Sequence, residues 1–190
     1  MGRVWRHLLV RLQRFARGED AAAAVEFALV LPIMLMLYIG SVETTALISM
    51  DRKVQSVAGA LGDLVARQDK TIEADMLSDY FLAAGGIMTP FPTDELYQVV
   101  TQVYVSATGV ATVKWSKQYH AGTMSTKYAT NATFKLPTAM TNIAKDSYVI
   151  VAEGIYDYPP LYGFAFKQTI KLYRQNFFVP RFGNEIRYVE

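Results

Sequence analysis

From Phe27 to Val42 the chain carries sixteen consecutive residues without a charge, with Glu26 directly before them and Glu43 directly after. A helix of that length covers roughly 24 Å at 1.5 Å per residue, short of a hydrocarbon core about 30 Å thick that usually takes about 20 residues to cross. Extending the run back through Ala21 takes in Glu26; extending it forward to Met50 takes in Glu43. Two readings follow. In one, the glutamates bracket a short span and reach for its two interfaces. In the other, Glu26 lies inside the bilayer and has a task there, the default for an intramembrane ionisable group. Spacing alone leaves both open.

Beyond Glu43 the helical period continues. Val54, Val57, Ala58, Leu61, Leu64 and Val65 fall on one stripe, so a single helix is expected to run from the membrane to about Gln68. The stripe packs against the body of its own domain or, through Ala58, Gly59, Ala60 and Gly62, lets another helix approach closely. Thr71 is the candidate N-cap of a second helix that buries Met76, Leu77, Tyr80 and Phe81 and ends at Gly85-Gly86.

From Leu96 the pattern turns to β-branched and aromatic residues. LYQVVTQVYVS alternates, with Tyr97, Val99, Val103 and Val105 on one face and Gln98, Gln102 and Ser106 on the other; VATVKWS returns the chain, giving a hairpin over Leu96–Ser116. QYHAGTMST reads as a polar loop, ATFKLP as a short strand closed by Pro137, and TAMTNIAKDS as a helical turn. YVIVAEGIYDY is a strand stopped by Pro159-Pro160, and FKQTIKLYRQNFFVP supplies another, with Phe166, Ile170 and Leu172 opposite Lys167, Thr169 and Lys171. Long helices followed by about four strands on short turns predict an α+β domain with an antiparallel sheet.

Composition agrees with one domain plus an anchor: 190 residues, 52% apolar and 19% charged. The net charge of +2 is too small to point to nucleic acid, but its distribution matters. Arg3, Arg6, Arg11, Arg14 and Arg17 precede the apolar run, which predicts a cytoplasmic N-terminus and a body on the far side, the periplasm if the source is a Gram-negative bacterium. That lead, VWRHLLVRLQRFAR, is either an amphipathic helix on the anionic leaflet or a leader that only sets topology. Its length, and an apolar run longer than the roughly 7–15 residues of a signal peptide, argue against a cleaved secretory signal. The expected organisation is a basic cytoplasmic leader over 1–20, a transmembrane helix over 21–50 and a periplasmic α+β domain over 51–190.

Candidate chemistry is sparse. With no cysteine and only His7 and His120, thiolate chemistry and a multi-histidine metal site are not expected. There is no phosphate-loop or dinucleotide glycine pattern and no G-x-S-x-G elbow. His120 reads as an exposed loop histidine. Asp146, Glu153 and Asp157 are near enough in sequence to cluster, but Glu153 and Asp157 are expected to face solvent or a loop. Asn131-Ala-Thr133 matches a glycosylation acceptor, which means little if the source is bacterial. Around Pro159-Pro160 crowd Tyr156, Tyr158, Tyr162, Phe164 and Phe166. They either pack into the sheet or form a protein contact through Tyr158 and Tyr162, since aromatics are enriched at interfaces.

The segment AAAAVEFALVLP followed by LYIGSVE resembles the TadE/TadG-like family of tight-adherence (Flp-type) pilus assembly proteins. Members typically read as a glycine, a few small residues, Val-Glu-Phe, an apolar run containing proline, and a further glutamate about four turns on. Ala22–Ala24, Val25, Glu26, Phe27, Pro32 and Glu43 take those places here. More diffusely, DRKVQSVAGALGDLVARQ, IMTPF, GVATVKWS and VAEGIYDYPPLYGF resemble the periplasmic part of alphaproteobacterial members.

The resemblance implies a pilin-like arrangement, with the sheet packed on the C-terminal half of a long helix. It also implies a pseudopilin-like subunit that a membrane aspartic prepilin peptidase trims to make the glutamate fifth in the mature chain. That register places the cut between Ala21 and Ala22, although Ala21 stands where glycine is usual and Gly18 would leave Glu26 eighth. A TadG-like member need not be cut at all. After cutting, Glu26 of one subunit would pair with the new ammonium of a neighbour, with Phe27 beside it, so that neither charge is isolated in a low-dielectric setting. The implied role is non-enzymatic and without cofactor: a minor-pilin-like component supporting pilus biogenesis, surface adhesion and biofilm formation. Its implied partners are other Tad pseudopilins, the Flp-type pilin, the inner-membrane assembly platform, a prepilin peptidase and membrane lipid. The alternative from another class is a membrane-tethered periplasmic binding module for a ligand or envelope component.

Overall fold

The computed structural model describes residues 19–190, with side chains from Ala22 onward. The arginine-rich lead, with its amphipathic and topogenic readings, lies outside the described residues. Helix α1 runs without a break over Glu19–Ala66, 48 residues. Alanine, leucine and methionine, all strong helix formers, dominate its first half. Pro32 removes one intrahelical donor, yet the helix continues through it. The polar residues that follow turn inward: Ser41 Oγ donates to the carbonyl of Tyr38 at 2.7 Å, Thr44 Oγ1 to that of Gly40 at 2.8 Å, and Thr45 Oγ1 to that of Ser41 at 2.8 Å. Such back-bonding satisfies hydroxyls without water.

By internal contacts the chain divides into two units, the part up to Thr45 and Ala46–Glu190. In the second unit, α1 is followed by β1 (Thr71–Glu73), α2 (Ala74–Gly85), a 3₁₀ turn at Gly86–Met88, β2 (Leu96–Val105), β3 (Ala111–His120) and β4 (Thr123–Ser125). Then come α3 (Thr138–Ile143), β5 (Ser147–Tyr158), β6 (Ile170–Phe178) and β7 (Arg187–Val189). Five strands form one antiparallel sheet in the order β4-β3-β2-β5-β6, and β1 pairs in parallel with β7. The fold is α+β, as the element order predicted.

One face of the sheet lies on the C-terminal part of α1. Met50, Val54, Val57, Leu61 and Val65 are all buried, at spacings of four, three, four and four. They share a core with Ile150, Tyr156 and Tyr158 of β5, Val100 of β2 and Leu172 of β6. Contact is closest at Gly154, where an added Cβ would stand 2.9 Å from the carbonyl oxygen of Val54, and at Gly62, where it would strike the Phe178 ring. The small residues of this helix face therefore admit the domain's own sheet rather than a second helix. Ion pairs edge the seam, Arg174 with Asp51 and Arg181 with Asp63.

The opposite face is covered too. Val103, Val105, Ala111, Val149 and Val151 pack with Leu136 and Ala144, and with Phe134 and Met140 beside them. This double cover overturns the half-polar reading of β2. Gln98 and Gln102 are buried; Gln98 Nε2 donates to the Phe81 carbonyl at 3.0 Å, and Gln102 Oε1 accepts from Trp115 Nε1 at 3.1 Å. Each amide makes one bond to the layer above or beside it, while Gln98 Oε1 and Gln102 Nε2 are buried without a protein partner.

Other boundaries moved as well. Thr71 does not cap a helix: it opens β1, and α2 starts at Ala74 behind Glu73, whose side chain makes no capping bond. Pairing with β7, supported by the Arg187 amide donating to the Lys70 carbonyl at 2.7 Å, outcompetes the cap. Leu77 and Phe81 are buried as expected, whereas Met76 is exposed and Tyr80 half-buried. The supposed loop from Gln118 begins as strand, since β3 continues to His120 before Ala121-Gly122 turns the chain at positive φ. ATFKLP makes only a single bridge, Thr133 to Thr112.

Candidate functional site

Two surfaces merit attention, the apolar part of α1 and the loop after β5. On α1, Val25, Phe27, Leu29, Val30, Leu31, Ile33 and the residues through Tyr38 stand exposed. Within Ala22–Ala66 the most apolar stretch is long enough to cross a membrane, and none of it is buried. Hiding a Val, Leu, Ile, Phe or Met side chain from water is worth about 1.5–3 kcal/mol each. Eleven large apolar side chains are exposed between Val25 and Tyr38. Leaving them in water would forgo on the order of 15 kcal/mol or more, as much as the whole stability of an ordinary domain. The segment is built to be covered by lipid or by other helices, and it suits a single-pass anchor.

The predicted site residues fall at its start. Ala21 and Ala22 lie inside α1, one turn before Glu26. Glu26 and Phe27 are exposed on the same helix, adjacent in sequence and therefore about 100° apart around its axis. A chain beginning at Ala22 would carry its ammonium at the helix N-terminus and Glu26 at i+4, where the positive end of the macrodipole also favours a carboxylate. Glu43, the second glutamate of the pattern, is buried.

Sequence reasoning misplaced the carboxylates of the sheet. Glu153 is only 2% exposed. Its Oε1 accepts from Tyr173 Oη at 2.5 Å and from Tyr128 Oη at 3.3 Å. The reason is the cover over that face: the segment after β4 carries Tyr128 across the strand and excludes water from a position whose neighbours are valines. Burial, then the charge and hydrogen bond of Glu153, push the Tyr128 phenol up to about 12. Tyr173 is raised further by burial first and the same partner second. Asp157 instead meets Lys171 at 3.7 Å, and Asp146 sits exposed at positive φ. The three carboxylates do not form one cluster, and the described residues contain no group of three His, Cys, Asp or Glu able to hold a metal. His120 is not an exposed loop residue either; it is half-buried, stacked on Tyr97 with ring centroids 3.6 Å apart.

The aromatic loop splits into two populations. Tyr156 and Tyr158 belong to the core, Tyr158 at 3% exposure, because both side chains point to the α1 face of β5. Tyr162 is 68% exposed, and Leu161 and Phe164 stand out beside it. Alternation along β5 would have separated Tyr158 from Tyr162, since Pro159-Pro160 ends the strand between them. A separate cleft of about 320 Å³ opens between α2 and the β2–β3 end of the sheet, lined by Phe81, Leu82, Gly85, Asp94, Gln98 and Tyr119.

No curated protein matches this chain, and no solved structure does. Residues 21–60, which hold the apolar run, both glutamates and the first turns of the packed stripe, match the family model described as TadE-like protein, in agreement with the resemblance carried by Val25, Glu26, Phe27 and Glu43.

Proposed function

We propose that this chain is a non-enzymatic, minor-pilin-like subunit of the tight-adherence pilus assembly machinery, held in the inner membrane by α1 with its sheet domain in the periplasm. The TadE-like match points to Tad pilus assembly, with other pilus components as partners. The observation that carries the finer reading is the exposed apolar half of α1 bearing Glu26, continuous with a half that packs under its own sheet. One half of the helix stabilises the domain; the other is left to lipid and neighbouring helices. Glu26 then pairs with the ammonium of an adjacent pseudopilin or Flp-type pilin, and Phe27 packs beside that pair. A cut between Ala21 and Ala22 by a prepilin peptidase creates the ammonium on this chain.

Glu26→Leu tests the role. A subunit that assembles through a charge pair loses co-purification with partner pseudopilins and surface piliation, while its periplasmic domain keeps its thermal stability. A simple tether shows no loss, because leucine anchors better than glutamate. Mass spectrometry of the membrane-extracted protein tests the cut: a chain beginning at Ala22 is expected, and an intact N-terminus through Arg17 refutes it.

The cleft beside Gln98 supports a second reading, a tethered periplasmic binding module. Its volume of about 320 Å³ is at the small end for ligand pockets. This reading predicts a Glu26→Leu protein of full activity and a loss on filling the cleft with Gly85→Leu.

A further inference from the structure

We infer that the cleft between the end of α2 and the β2–β3 end of the sheet takes a small organic ammonium ion, which rests on the second reading above, in which this cleft is a ligand site. Its lining lies wholly within the unit Ala46–Glu190. Phe81 and Gly85 bring the last turn of α2 into the wall. The carbonyl end of a helix carries partial negative charge and favours a cation, and the last turn of α2 has no basic residue. Asp94 also lines the cleft, and no Lys, Arg or His does. Over residues 71–113 the chain holds Glu73, Asp75, Asp79, Asp94 and Glu95 and no base, although its net charge is +2, so the negative charge is local. Asp94 and Glu95 are exposed and make no ion pair among the described residues. Their field reaches Tyr156, whose phenol is raised by burial first and then by Glu95 and Asp94. The bases beside the cleft are already engaged. Lys53 Nζ donates to the Ile87 and Thr89 carbonyls at 2.8 and 2.7 Å, and His120 Nδ1 lies 3.2 Å from the Leu96 carbonyl.

Acidic side chains alone attract any counter-ion; Gln98 is what points to a ligand. It is 3% exposed and forms part of the cleft wall. Its Nε2 is fixed by the Phe81 carbonyl, which leaves Oε1 buried at the wall with no protein partner. The free atom is therefore an acceptor, and only a donor completes it. An ammonium group has donors and no acceptor, so it can serve both Gln98 Oε1 and the Asp94 carboxylate, whereas an anion would be opposed by both. Phe81 and Tyr119 stack with ring centroids 5.4 Å apart and give the wall an aromatic surface. Such a surface covers the apolar body of an organic cation, and the ring faces attract its charge. A volume of about 320 Å³ limits the guest to a small molecule.

Glycine amides make the test local, because Gly85, Gly86 and Gly122 line the cleft while Gly109 and Gly183 do not. The full-length chain, isotope-labelled at its glycine nitrogens, is titrated in zwitterionic micelles and followed by NMR. The probes are phenethylammonium, neutral phenethyl alcohol and phenylacetate, which share a ring and nearly share a length. Phenethylammonium is expected to shift Gly85, Gly86 and Gly122 saturably and to bind several-fold more tightly than the alcohol, with Gly109 and Gly183 unmoved. Asp94→Asn should weaken it about two- to five-fold, as for a partly exposed ion pair. Gln98→Met, which removes the acceptor and keeps the side-chain length, should weaken it about ten-fold. Unmoved Gly109 and Gly183 signals in both variants show that they fold. Equal binding of ammonium and alcohol, or a preference for phenylacetate, overturns the ammonium assignment and leaves the cleft a ligand site. Undiminished shifts in both variants overturn it too, since the cation would then be held by other groups. No shift with any probe overturns the assignment; a loss of activity in Gly85→Leu then keeps the cleft as a site for another class of ligand, and full activity removes the site as well.

Discussion

Gly154→Ala probes the seam between sheet and helix more directly than any core truncation. The new Cβ would stand 2.9 Å from the Val54 carbonyl oxygen and 3.0 Å from Val54 Cγ1. That oxygen belongs to the backbone of an unbroken helix, so it cannot swing aside as the tip of a side chain can. The helix and β5 must part by a few tenths of an ångström, loosening the contacts of Val54, Val57 and Leu61 together. Overpacking of this kind costs typically ~1–3 kcal/mol, while replacing a strand glycine returns ~0.5–1 kcal/mol of backbone entropy. The expected net loss is ~1–2 kcal/mol. Gly59→Ala is the internal control: its Cβ meets only Asn176 Nδ2, at 3.4 Å. There the helix-propensity gain of ~0.8–1 kcal/mol is expected to appear almost whole. Urea unfolding of the full chain in detergent, followed by the fluorescence of Trp115, reads both. Trp115 is buried and its indole donates to the Ile186 carbonyl at 2.6 Å, so it reports the core. The two variants should separate by ~2–3 kcal/mol in opposite directions, or about 4–12 °C in Tm at 2–4 °C per kcal/mol. If Gly154→Ala is neutral or stabilising, the sheet does not meet α1 at Gly154 and the packing argument fails.

Two further predictions concern pH, and both follow from named neighbours. Because folding raises the Tyr128 phenol from 10.0 to about 12, the neutral form is favoured in the folded state; this contribution is intact below pH 10 and is lost as the pH rises through about 12. Phenolate absorbance should show Tyr128 among the last tyrosines to ionise, and Glu153→Gln should bring its titration down while leaving the effect of burial. Asp63 goes the other way. Hydrogen bonds from Arg67 and then Arg181 hold its carboxyl below 3.8, so its contribution is present above that pH and is lost as the pH falls through the lowered value. Asp63→Asn should flatten the acid limb of the stability curve there and change neutral-pH stability by no more than ~1 kcal/mol, as for a partly exposed ion pair. An unchanged acid limb would refute the assignment.

Much of the architecture could be read from local pattern. The stripe Val54, Val57, Leu61 and Val65 announced a helix with one buried face, and that face is buried. The long strands over Leu96–Val105 and Ser147–Tyr158 were legible from β-branched runs and their proline or turn boundaries. What failed was each inference that needed knowledge of a second layer. Gln98 and Gln102 look like solvent-facing positions because alternation cannot reveal that α2 and Trp115 supply them with partners. Glu153 looks exposed for the same reason: Tyr128 reaches it from 25 residues away. Strand β1 is three residues long and takes its pairing from β7 near the other end of the domain, so no local window contains its cause.

The apolar run, the helical stripe and the TadE-like signature are properties of neighbours along the chain: an uncharged stretch, a 3.6-residue period, a glutamate beside an aromatic at the start of that stretch. Packing between elements settles which polar residues are buried, which small residues admit the sheet, and which of two tyrosines four positions apart faces outward. Those outcomes depend on what lies across a gap of a few ångströms. Tyr158 enters the core because β5 carries it onto α1, and Tyr162 leaves it because two prolines have already ended the strand.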